Sequence, residues 1–227
     1  MELRVREQTL AELATTVPGA VGVLRRHRLD FCCNGARGLV EACAAKGLDM
    51  GPIADEIEAL ARRAEPAQFE GLAALSAAQL ADFVVGTYHE PLRAMLEDLL
   101  ALAQRVERRH ADHPACPRGL AGRLHVGAVE LRSHMDKEER ILFPAIRRGL
   151  GVELAGPVAV MRAEHDEHAS FLEELRLLTG DHEPPPGACN SWLALYLGLA
   201  DLEKQLQDHV LVENHLLFPA VLAGERS

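Results

Sequence analysis

The sequence predicts an all-α protein, an up-down four-helix bundle preceded by a small helical N-terminal domain. Three observations predict it. Leu (36) and Ala (34) dominate the 227 residues while Ile (4) and Thr (5) are scarce, which favours helix and leaves little β-branched material for a sheet. Beyond Ser76, four long helical patterns follow one another, separated by short Gly- and Pro-rich breaks. Two of these patterns share a repeated motif, as two similar helical hairpins would require.

The N-terminal domain is expected over residues 1–66. Thr9 with Glu12 reads as a capping box, Pro18 opens a second helix and Gly47 closes a third. Between the second and third lies the turn-like segment Leu29-Asp30-Phe31-Cys32-Cys33-Asn34-Gly35. Glu65-Pro66 marks the boundary, since the residue before proline is pushed out of the helical region. The bundle is expected over residues 72–224. Its first helix opens at a second capping box, Ser76 with Gln79, and runs to His110 before His113-Pro114. The second runs from about Pro117 to Arg148 and stops at Gly149 and Gly151. The third begins at Gly156-Pro157, with proline at its first position, and stops at Gly180. After Pro184-Pro185-Pro186-Gly187 the fourth runs from Ser191 to about Ala223. Short connections between long helices give the up-down order.

Charge and composition exclude several classes. Lys+Arg 24 against Asp+Glu 34 leaves a formal charge of −10, without the basic footprint that nucleic-acid binding needs. No phosphate-binding glycine loop occurs. The longest apolar stretch, Trp192 to Ala200, is nine residues, far short of the ~20 that cross a bilayer. Charges occupy the N-terminus where a signal peptide would need its apolar region. Cys32, Cys33, Cys43, Cys116 and Cys189 form no CxxC pair, which suggests free thiols and a cytoplasmic location.

The repeat carries the chemistry. His134 to Ile146 (HMDKEERILFPAI) aligns with His209 to Val221 (HVLVENHLLFPAV) at an offset of 75, with six of thirteen positions identical. Both copies hold His-x-x-x-Glu, which places the two side chains one above the other on a single helix face. A histidine precedes each copy on the previous helix, His89 by 45 residues and His165 by 44. Four histidines and two carboxylates at one level of a bundle make a two-metal site. With His89, His134, Glu138, His165, His209 and Glu213 as ligands and both glutamates bridging, each metal receives two imidazoles and two carboxylate oxygens. An oxo or hydroxo bridge would make five ligands and leave one position open. Mixed imidazole and carboxylate ligation suits iron, with manganese or zinc as alternatives. Glu130, one turn before His134, and Glu164, next to His165, are candidates to orient an imidazole or move a proton. Glu139 is expected to face outward, and the two Leu-Phe-Pro tails to supply core packing and a helix bend. His27, His110, His113, His125, His168, His182 and His215 read as exposed or hydrogen-bonded side chains without a metal role.

These residues resemble a hemerythrin-like domain. Asp30-Phe31-Cys32-Cys33-x-Gly35 resembles the short N-terminal domain that accompanies it in the iron-sulfur cluster repair di-iron proteins. Asn34 stands where that pattern usually has glycine, and asparagine tolerates left-handed backbone. The resemblance covers essentially the whole chain. It implies two iron ions held by the six residues above and a cytoplasmic, stress-induced protein that restores clusters damaged by nitric oxide or oxidants. It implies damaged or apo iron-sulfur proteins as partners and nitric oxide or oxygen as small ligand. No nucleic acid and no membrane is expected, and a homodimer is left open. Cys32 and Cys33 would then relay iron, nitric oxide or redox equivalents, against the plainer reading that they pack the small domain. Oxygen-carrying hemerythrins place a further histidine one turn after the third-helix ligand, where Ala169 stands here, and space the last pair as HxxxxD. His168 remains as a weak fifth imidazole. Fewer nitrogen ligands argue for labile iron rather than oxygen storage. The alternatives are a nitric oxide-binding or nitric oxide-reducing di-iron protein, and a sensor of iron, oxygen or nitric oxide.

Overall fold

Local capping sets the first helices, as the sequence leads one to expect. The structure, a computed structural model, describes residues 5–63 and 67–224, so the Glu65-Pro66 boundary lies outside the described residues. α1 (Leu10–Thr16) opens at Thr9, whose hydroxyl accepts the Glu12 N–H while the Glu12 carboxylate accepts the Thr9 N–H. α2 spans Ala20–Arg26 and α3 spans Leu39–Ala45. Pro18 does not open α2; it lies in a turn, and left-handed Gly19 (φ 76) takes the cap. Gly47 closes α3 as expected. At φ 64 it donates to Ala44 O while Leu48 donates to Cys43 O, which satisfies two carbonyls that the helix end leaves free. α4 (Met50–Ala61) starts at Asp49, whose carboxylate accepts the Gly51 N–H.

The bundle follows in four rods. The first joins α5 (Ala77–Val84) to α6 (Glu90–Arg109) through a π-helical turn, Val85–His89. The second joins α7 (Leu120–Lys137) to α8 (Phe143–Arg147) through Glu138–Leu142. α9 (Ala155–Thr179) is the uninterrupted third rod. The fourth joins α10 (Asn190–Val212) to α11 (Phe218–Ala223) through Glu213–Leu217. Each rod packs on its neighbours in chain order, α6 on α7, α7 on α9, α9 on α10 and α10 on α6. That ring is the up-down topology. No strand forms among the described residues; a single bridge links Thr9 and Gly38.

Every π turn ends two residues before a proline: Pro91, Pro144 and Pro219. Proline lacks the N–H and its ring collides with the carbonyl four residues back, so the helix widens by one residue there instead of breaking. The bend read from the Leu-Phe-Pro tails is this widening, and it falls at the level of the repeated glutamates.

Leu99, Ala103 and Val106 of α6 and Leu195, Leu199 and Leu202 of α10 fill the bundle's apolar half, with Trp192 buried at its end. α7 and α9 approach so closely that a Cβ on Gly127 would collide with the Phe171 ring. The N-terminal segment packs on the other half and shares one continuous core with the bundle. Arg25 reaches Asp208 at 3.0 Å and Gln207 at 2.7 Å, and Asn214 Nδ2 donates to Cys32 O at 3.1 Å.

Candidate metal centre

Four rods each turn histidine or glutamate inward at one level. His89 closes the first π turn, Glu138 and Glu213 open the other two, His134 and His209 lie one turn before those glutamates, and His165 comes from α9. All six are at most 1% exposed. They divide into two groups, His89, Glu138, His209 and Glu213, and His134, Glu138, His165 and Glu213, with the ligand atoms of each group within 4.8 Å of one another. Both glutamates belong to both groups. Glu138 Oε2 stands 3.4 Å from the Nε2 of His89 and of His134, while Glu213 sends Oε1 to His209 (2.9 Å) and Oε2 to His165 (3.0 Å).

The donor set fits a cation. All four carboxylate oxygens of Glu138 and Glu213 are buried without a well-directed hydrogen bond, despite the nearby imidazole nitrogens. Buried carboxylates left so are costly unless a positive charge sits among them. Burial, then the facing Glu213, pushes Glu138 far above the usual carboxylate range; burial opposes the fall of Glu213, but His209 and His165 hold it well below. The imidazoles tell the same story. His134 Nδ1 donates to Glu164 Oε2 (2.8 Å) and His165 Nδ1 to Asn214 Oδ1 (3.0 Å), so both inward Nε2 atoms carry lone pairs. Those two lone pairs face each other at 3.2 Å, an arrangement that a shared cation turns from repulsive to favourable. His89 Nε2 and His209 Nε2 lie 3.1 Å apart, and His89 Nδ1 donates to Glu139 Oε1 (2.8 Å), whereas His209 Nδ1 has no partner.

Comparison with known proteins bears on what the cation is for. The profile described as the hemerythrin HHE cation-binding domain matches residues 80–221, and a domain of unknown function, DUF542, matches residues 6–61. The chain is 44% identical over 221 residues to the iron-sulfur cluster repair protein YtfE of Cronobacter sakazakii, covering 97% of this chain and 99% of the relative. It is 42% identical over 220 residues to the YtfE proteins of Yersinia pseudotuberculosis and Yersinia pestis, with the same coverage. The chain belongs to the family of iron-sulfur cluster repair proteins. No helix among the described residues is long and apolar enough to cross a membrane.

In this member of the repair family, the surroundings of the six side chains differ in part from the sequence-based expectation. Glu164 sits beside His134, and the His134 hydrogen bond above all, with Lys137, brings its carboxyl to about 2. Glu130 does not join it; it lies exposed, 3.5 Å from Arg123. Glu139 does not face outward. It accepts from His89 and from Arg93 Nη1 (2.7 Å), a role visible only once the helix widens after Glu138. Asn214 was missed for the same reason: in a regular α-helix the residue after Glu213 turns away. Phe143 stacks on His89 (5.8 Å), Phe218 on His165 (5.9 Å) and Tyr88 on His209 (5.5 Å), so the aromatic tails wall the imidazoles as well as packing the core.

His168, read from the sequence as exposed or hydrogen-bonded, is buried, and its Nδ1 has no hydrogen-bond partner. Its ring stands edge-on to His134 at 4.7 Å, but it belongs to neither four-residue group. A cavity of about 220 Å³ lies beside it, lined also by His165, Ala169, Cys32 and Cys33. Cys32 is buried and Cys33 half-buried, and Cys33 Sγ lies 3.5 Å from the carbonyl oxygen of His165. The thiol pair therefore sits against the backbone of the candidate metal centre. All five cysteines are free.

Proposed function

We propose that this chain restores damaged iron-sulfur clusters in other proteins of the cytoplasm, by holding two irons between the rods and giving iron up to a damaged or apo client. The observation that carries the reading is the pair of buried His/Glu groups sharing Glu138 and Glu213, in a chain similar along its length to cluster repair proteins. In it His89 and His209 hold one iron, His134 and His165 the other, and both glutamates bridge. Bound iron would supply an exchangeable, redox-active cation.

The residues around it set how that cargo is kept. Glu139, Glu164 and Asn214 fix three imidazoles with their inward nitrogens free of protons. The stacked Phe143 and Phe218 exclude water from two of them. Ala169 brings no fifth imidazole to α9, so each iron has few ligands to shed on leaving. A second reading, capture or reduction of nitric oxide at the centre, draws support from the cavity that His165 lines together with Cys32 and Cys33.

The test is transfer. Iron-loaded protein is mixed anaerobically with a hydro-lyase whose cluster has been damaged by nitric oxide. Reactivation by the wild type, and its loss in Glu138→Ala/Glu213→Ala, is expected. Turnover of nitric oxide by a protein that surrenders no iron would favour the second reading and overturn the first.

A further inference from the structure

Asp30, Cys32 and Cys33 gather outside both His/Glu groups. The two sulfurs are 4.0 Å apart, Cys32 Sγ is 3.4 Å from Asp30 Oδ1, and one donor atom of each residue lies within 4.8 Å of the others. A tetrahedral cation with thiolate arms of about 2.3 Å and a carboxylate arm of about 2.1 Å spans S···S edges of about 3.8 Å and S···O edges of about 3.6 Å. The two edges that meet at Cys32 Sγ stand close to those spacings, and the third, from Cys33 to Asp30, closes within 4.8 Å.

Contacts other than those between the donor atoms hold this spacing. Asp30 Oδ1 accepts the Cys33 N–H at 2.9 Å and Oδ2 accepts the Asn34 amide at 2.6 Å. The carbonyl of Cys32 is gripped by Asn214 Nδ2 and, at 2.9 Å, by His215 Nε2, both from the π turn that carries Glu213. Gly35 permits that approach, because a Cβ there would collide with the Phe31 carbonyl and the His215 ring. Asp30, Cys32 and Cys33 all line the cavity of about 220 Å³. That cavity is shared with His165 and His168, and His168 is 4% exposed with its Nδ1 unpartnered.

We propose that Asp30, Cys32 and Cys33 form a third metal site, three-ligand and open, for a thiophilic divalent cation of the ferrous or zinc class. On binding, the cation replaces the two thiol protons, which leave to solvent, and no electron moves. An open fourth position suits exchange rather than storage. The site deepens the iron-transfer reading, on which it rests for its purpose and not for its geometry.

The experiment is anaerobic titration of the full chain with cobalt(II), following thiolate-to-cobalt charge transfer, with circular dichroism to check folding. The band is expected to report one cobalt per chain beyond those taken up at the His/Glu groups in the wild type, and to persist in Glu138→Ala/Glu213→Ala. It should vanish in Cys32→Ser/Cys33→Ser, and affinity in Asp30→Asn should fall by at least the ~10–100-fold that loss of an outer partner costs. Should the double cysteine variant fail to fold, Cys33→Ser alone, altered at the half-buried thiol, must lose the band. A wild type without the band, or a folded cysteine variant that keeps it, overturns the proposal. Loss of metal at the His/Glu groups with the band intact would instead count against the di-iron reading alone.

Discussion

Glu164 and Glu139 each tie an imidazole to a surface cation. Glu164 joins His134 Nδ1 to the Lys137 ammonium, and Glu139 joins His89 Nδ1 to Arg93. Such a carboxylate holds the tautomer that leaves Nε2 free for a metal and raises its basicity. Glu164→Ala or Glu139→Ala should therefore weaken metal binding by about 10–100-fold with helicity unchanged, as competition with a chelator would measure. Unaltered affinity would mean that packing alone orients these imidazoles. Protons compete for the same nitrogens. Burial above all pushes His89 and His134 from 6.5 down to about 4. Below pH 6.5 the unfolded chain takes up protons at both positions while the folded, metal-free chain does not until about 4. Its stability should fall as pH drops through that window, which urea midpoints at a series of pH values would check; a constant midpoint would contradict the burial of neutral imidazoles. At this scale the six inward residues were legible because the HxxxE device is duplicated at a constant offset. Glu139 and Asn214 were not, because which of two adjacent residues turns inward depends on a helical widening that spacing rules for a regular helix do not contain.

Elements explain where that widening comes from. Pro91, Pro144 and Pro219 each follow a π turn by two residues, and each turn carries one of the inward side chains, His89, Glu138 or Glu213. The rods' limits were legible from caps and breakers: Ser76 with Gln79, the glycines at 149 and 151, Gly180 and Gly224 fall where the helices begin and end. Pro18 misled, since proline serves a turn as readily as a helix start and left-handed Gly19 follows it. The close crossing of α7 and α9 was not legible at all, because a lone glycine inside a helix does not declare which partner it admits. Gly127→Ala should force the Phe171 ring aside and destabilise the fold by about 1–3 kcal/mol in denaturant unfolding. A variant as stable as the wild type would show that the crossing has room to spare.

Across the whole molecule, the N-terminal segment covers the half of the bundle that carries the six inward His and Glu side chains. Arg25 pairs with Asp208, and Cys32 O is held by the residues after Glu213, so the thiol loop and the metal centre share one wall. The motif order along the chain does not report that the N-terminal segment and the bundle meet. The contacts between them join residues some 180 positions apart, such as Arg25 with Asp208 and Cys32 with Asn214, and nothing in local patterning reports such pairs. Two cations sharing Glu138 and Glu213 are what the proposed iron transfer requires. Metal content per chain after anaerobic loading with ferrous iron and desalting, which strips iron held only at the open thiol site, tests this most directly. Two irons in the wild type, falling to one or fewer in Glu138→Ala and in Glu213→Ala, is the predicted result. Two irons held as tightly in the double variant as in the wild type would contradict it.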